Sequence, residues 1–119
     1  MSRAALMGIP EDLGGQLAEV LRSETHQVTR RLYLQDLQRG PKPEVIFISG
    51  DNPDFPKLIG LLREIEPGLP VVVVTRCPGT GQWLDALEAG ATDYCGAPFE
   101  RVQLQWIMNT VALTGRQAA

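Results

Sequence analysis

The sequence predicts an open, doubly wound α/β sheet of five parallel strands with helices on both faces. Two observations carry that expectation. The runs Val45-Ile46-Phe47-Ile48 and Val71-Val72-Val73-Val74 are continuously apolar rather than alternating, as strands buried on both faces must be. Around them, strand signals alternate with helical stripes along the whole chain, and right-handed crossovers leave almost no other topology.

The first strand is read at 4–7 (AALM), ending at Gly8 and Pro10, with Glu11 and Asp12 as first-turn charges of a helix. In that helix Leu13, Leu17, Val20 and Leu21 form one stripe closing near Ser23. Val28 to Leu32 is a weak second strand, and Tyr33, Leu34 and Leu37 suit a short second helix ending at Gly40. The third strand, 44–48, runs into the turn Ser49-Gly50-Asp51-Asn52-Pro53. Leu58, Leu61, Leu62 and Ile65 mark a third helix that stops at Pro67-Gly68 before the valine strand. A fourth helix holds Leu84 and Leu87 and ends at Gly90. A short fifth strand surrounds Tyr94-Cys95, and a fifth helix runs from about Glu100 to Leu113.

Composition narrows the function classes. The 119 residues fit one domain, 1–119, with a core that needs no staple. Fourteen acidic against eleven basic residues, with no basic run longer than Arg30-Arg31, argue against direct nucleic-acid binding. No apolar run approaches a membrane span and the N-terminus lacks a signal-peptide core, so a cytoplasmic protein is expected. Cys77 and Cys95 form no CxxC pair, and neither a metal nor another cofactor is expected. His26 reads as a surface histidine and Cys95 as a buried one. Cys77, beside Arg76, reads as a small filler rather than a redox thiol.

In sheets of this kind function sits at the carboxyl ends of the strands: here Gly8 to Asp12, Ser49 to Asp51, Thr75 to Cys77 and Cys95 to Pro98. The segment LEAGATDYCGAPFE at 87–100, preceded by LPVVVVTR at 69–76 and PEVIFIS at 43–49, resembles the receiver domain of two-component response regulators. The block Gly90-Ala91-x-x-Tyr94-x-x-x-Pro98-Phe99 is its most specific part. The likeness covers nearly the whole chain, loosely at 25–42. It implies a flavodoxin-like, receiver-like fold, a cis Ala97-Pro98 bond, and a family chemistry in which a histidine kinase phosphorylates an aspartate at the end of the third strand.

That chemistry needs a free carboxylate, Mg²⁺ held by that group and an acidic pair, and a lysine and a hydroxyl for the phosphoryl oxygens. At the matching positions stand Ser49 for the nucleophile, Gly8 and Ile9 for the acidic pair, and Ala97 for the lysine. Only Thr75 and Tyr94, which the family uses to couple phosphorylation to surface change, remain. The resemblance therefore implies a degenerate pseudo-receiver that is not an enzyme. Asp51 is the best substitute carboxylate by alternation, but its surroundings read as a turn.

Function is then expected on surfaces. In the last helix Leu104, Ile107, Met108 and Val111 face the sheet, while Val102, Trp106 and Leu113 point away. With Trp83 and Tyr94 they outline a homodimer or partner interface on the fourth helix, fifth strand and fifth helix. Its alternative is a tryptophan covered by an adjoining domain or folded over its own helix. The leading expectation is a phosphorylation-independent regulatory module of a bacterial signalling or transcription-regulating protein, an N-terminal regulatory domain with its output domain downstream. The second is a small-molecule sensor using a smaller, more neutral cavity among Gly8, Ile9, Ser49, Thr75 and Ala97.

Overall fold

Strands buried on both faces need cover on both sides, and the architecture follows from that demand. The computed structural model describes residues 3–31, 34–38, 42–76 and 79–118. Strands β1 (Arg3–Met7), β2 (Gln27–Arg31), β3 (Val45–Ser49), β4 (Val71–Thr75) and β5 (Asp93–Gly96) form one parallel sheet in the order β2-β1-β3-β4-β5. Every residue of β3 and of β4 is buried.

Successive side chains of a strand point to opposite faces, so each strand feeds two cores. Leu6, Phe47, Val72 and Val74 pack with Leu13, Leu17 and Leu21 of α1 (Glu11–Ser23) and with Leu104, Ile107, Met108 and Val111 of α4 (Arg101–Ala118). Met7, Ile46, Ile48 and Val73 pack on the other face with Ile59 and Leu62 of α2 (Phe55–Ile65) and Ala86 of α3 (Thr80–Ala89). The doubly wound, flavodoxin-like class expected from sequence is thus the observed one.

Three details differ from expectation, and the packing of α3 adds one that the sequence left open. The short second helix is a single 3-10 turn, Leu34–Gln38, whose Leu37 reaches the core, so among the described residues four α-helices cover the sheet and the expected fourth and fifth helices are α3 and α4. Tyr33 and Gly40, offered as parts of that helix, lie outside the described residues. In α2 the buried stripe is Phe55, Ile59 and Leu62; Leu61 falls about 100° away from Leu62 and is exposed. In α3 small residues face the sheet, Ala86 buried and Ala89 partly so, which turns Leu84 and Leu87 outward. Helix α4 continues to Ala118 rather than stopping at Leu113.

One side chain joins two connections on the α2–α3 side. Gly90 ends α3 in the left-handed region, φ 110°, a conformation that costs glycine little. Its carbonyl accepts from Arg63 Nη2 at 2.7 Å, and Nη1 of the same guanidinium donates to the carbonyl of Leu69 before β4. Burial lowers the pKa of Arg63 from its ordinary value. Arg63→Ala leaves these carbonyls without their donor and is expected to cost about 2 kcal/mol in urea unfolding. Arg63→Lys should restore less than half, because an ammonium cannot span the same fork.

Candidate functional site

The carboxyl ends of β1, β3, β4 and β5 converge at one edge of the sheet, and the topology reverses between β1 and β3. That is where such sheets place their sites. Ser49 closes β3 opposite Val74, 6% exposed, and Thr75 closes β4 opposite Gly96, fully buried. Gly8, with φ 67°, carries the chain out of β1; Ile9 and Ala97 each pack against the α1–α4 core, and the Ala97 N–H donates to the Thr75 carbonyl at 2.8 Å. The Ala97-Pro98 peptide bond is cis.

Three charged residues stand in the loops at these strand ends. Asp51 lies in a turn, as its neighbours indicated, yet its carboxylate reaches back over the strand ends. One oxygen accepts from Thr75 Oγ1 and the other from the Arg76 N–H at 3.1 Å. The Asp51 N–H in turn donates to Ser49 Oγ at 3.2 Å. Asp12 forms a two-pronged pair with the Arg76 guanidinium, Nη1 to Oδ2 being 2.5 Å. The Arg76 hydrogen bond holds the Asp12 carboxyl well below the usual range, at about 2. A cation therefore does stand at this edge, and its partner is Asp12.

Gly50 is needed by close approach rather than by torsion. A Cβ there would lie 2.6 Å from Val73 Cγ1, and the Gly50 N–H extends the β3–β4 ladder to the Val74 carbonyl at 2.7 Å. The Gly50 carbonyl accepts from Gln82 Nε2 of α3. Gln82 Oε1 accepts from Tyr94 Oη at 2.5 Å, and the same phenol oxygen accepts from the Gly79 N–H at 3.3 Å. Neither Gln82 nor the Asp12–Arg76 pair was expected from sequence. Partners 12 and 64 residues apart leave no local pattern to read.

This donor set does not fit Mg²⁺. Gly8 and Ile9 offer no side-chain oxygen, and the carboxylates of Asp12 and Asp51 are engaged by Arg76 and Thr75. Among the described residues no group of three or more His, Cys, Asp or Glu is arranged to hold a metal ion.

Of the surface residues, Val102 and Trp106 are 74% and 71% exposed and Trp83 is 44% exposed, while Tyr94 is half-buried. The Leu113 side chain and Cys77 lie outside the described residues. Cys95 is buried, and burial pushes its thiol up to about 12, which leaves it unreactive at neutral pH. His26 is half-buried, with burial lowering its pKa. No described helix is long and apolar enough to cross a membrane.

No family model matches the sequence, and no curated protein does. The structure, in contrast, is similar to many solved ones. NtrX from Brucella abortus, in complex with ADP, superposes with a TM-score of 0.85 at 18% identity over 98% of this chain and 27% of that one. A putative response regulator from Chloroflexus aurantiacus gives 0.82 at 23% identity, over 93% of this chain and 98% of that one. HP1043, an orphan response regulator of H. pylori, gives 0.73 at 20% identity, covering 92% and 96%. The fold is that of a response-regulator receiver domain. The chain spans about a quarter of NtrX and nearly all of the other two.

The Asp12–Arg76 pair has an acid limit. A carboxyl depressed from 3.8 to about 2 favours the folded state above its unfolded pKa, and that contribution fades as pH falls from about 4 through about 2. Arg76→Gln is expected to return the Asp12 titration, followed by carboxyl-carbon NMR, toward 3.8.

Proposed function

We propose that this chain is a phosphorylation-independent, receiver-like regulatory module of a bacterial signalling protein, acting through its surface on an output domain or partner. The Asp51–Thr75 bond carries the reading. The hydroxyl that the receiver family directs at a phosphoryl oxygen is here directed at a carboxylate of the chain itself. Ser49, at the nucleophile's position, is a buried hydroxyl that cannot form an acyl phosphate. Ala97, at the lysine's position, brings no cation. Arg76 is bound to Asp12.

Output then runs through the helix faces beside β5. Trp83, Leu84 and Leu87 of α3 and Val102 and Trp106 of α4 are the exposed apolar residues there, and tryptophan is over-represented among residues that dominate binding. We propose self-association, or docking of a partner, on this face. The small-molecule reading is not carried forward, because the polar groups at the strand ends bond to one another.

Incubation with acetyl phosphate and Mg²⁺ is expected to leave the intact mass unchanged; a gain of one phosphate would overturn phosphorylation independence. Sedimentation equilibrium over a broad concentration range tests the face. Self-association is expected, and Trp106→Arg should weaken it by about thirtyfold, the scale of one hot-spot side chain. If Trp106→Arg leaves both self-association and partner binding unchanged, the face is not the interface.

A further inference from the structure

Thr75 and Tyr94 are the two residues the resemblance marks as carriers of change from site to surface, and here each has a partner supplied by the chain. Thr75 donates to Asp51. Tyr94 donates to Gln82, whose amide N–H donates to the carbonyl of Gly50. Gly50 and Asp51 share one peptide group, so both bonds end on the same turn. We propose that Gln82 is a positioning residue, a strut that fixes the Tyr94 ring against the Gly50–Asp51 turn and so makes the α3–β5 surface and the strand-end loops move as one unit.

The geometry suits a strut and not a chance contact. A primary amide has one donor end and one acceptor end, and Gln82 uses them in opposite directions: Nε2 toward Gly50 and Oε1 toward Tyr94. The two ends of the path are fixed independently. Gly50 is held by its N–H on the Val74 carbonyl and by the close approach of Val73, so the turn cannot drift away from Gln82. The Tyr94 hydroxyl also accepts from Gly79 at the start of α3, which ties the ring to the helix that carries Gln82. Trp83 follows Gln82 directly, so a partner seated on that tryptophan would press on the residue that holds the turn.

The strut deepens the proposed function, resting on the reading that signals leave by the α3–β5–α4 face. Its test is independent of phosphorylation. Hydrogen exchange of the Asp51 N–H reports the turn: that N–H donates to Ser49 Oγ, and the carbonyl of the same peptide group accepts from Gln82. Gln82→Leu is expected to quicken Asp51 exchange about fivefold, the loss of one net hydrogen bond. Tyr94→Phe should quicken it to a smaller degree, and the double variant should exchange no faster than Gln82→Leu alone. Gln82→Glu, which keeps an acceptor for Tyr94 but loses the donor to Gly50, should also abolish the effect of Tyr94→Phe. It serves where the leucine variant fails to fold.

Unchanged Asp51 exchange in the Gln82 variants, or effects of Gln82 and Tyr94 that multiply as independent sites do, would overturn the strut. A phosphate adduct on Asp51 or Ser49 would overturn the proposed function while leaving the exchange result to stand or fall by itself.

Discussion

Everything at the candidate site depends on the pairing of β3 with β4. These strands are buried on both faces, and their register sets Ser49 opposite Val74. From that register the ladder runs one residue further, because the Gly50 N–H still reaches the Val74 carbonyl. A side chain at 50 would meet Val73, so the extension requires glycine. The next residue, Asp51, therefore leaves the sheet beside the end of β4, with Thr75 and the Arg76 N–H in front of it. A constraint of the hydrophobic core thus decides which carboxylate faces which hydroxyl.

The charges at this edge satisfy one another. Asp51 accepts from a hydroxyl and a backbone N–H, and Arg76 matches both oxygens of Asp12. Exposed ion pairs contribute little to stability, so the consequence is mainly geometric: the loop after β1 is tied to the loop after β4, and that loop to the turn after β3. Receiver chemistry would need an unengaged carboxylate and a cation facing incoming phosphate. In this chain the Thr75 hydroxyl and the carboxylates of Asp12 and Asp51 are bonded to partners on neighbouring loops.

The fold was legible because its signals are local. Continuous apolar runs marked β3 and β4, the Leu13–Leu17–Leu21 stripe marked α1, and Leu104, Ile107, Met108 and Val111 marked the inner face of α4. Which side of α3 faces the sheet was not legible, because burial there falls on small residues: Ala86 and Ala89 turn the helix so that its leucines lie outside. At the site, the positions of Ser49, Thr75 and Ala97 followed from order and spacing along the strands. The partners did not. Asp51 read as a turn residue, which its backbone is, and nothing nearby in sequence announced that its side chain would bond across to Thr75. Arg76 with Asp12 and Gln82 with Tyr94 are likewise products of the β-strand register, visible only after the sheet is assembled.

The outward faces of α3 and α4 carry the last step. A scattered exposed leucine needs no explanation, since much of any protein surface is apolar. On α3, however, Trp83, Leu84 and Leu87 share one side of the helix while alanines serve the core, the reverse of what burial alone would select. On α4, Val102 and Trp106 stand one turn apart with the core residues satisfied behind them. Both helices flank β5, which among the described residues is an edge strand paired to β4, and β5 carries Tyr94, which Gln82 joins to the turn holding Asp51. Hydrogen bonds through Gln82 therefore connect β5, which lies between the two apolar helix faces, to the turn that holds Asp51, and by the strut proposed above a partner that covers Trp83 acts on that turn.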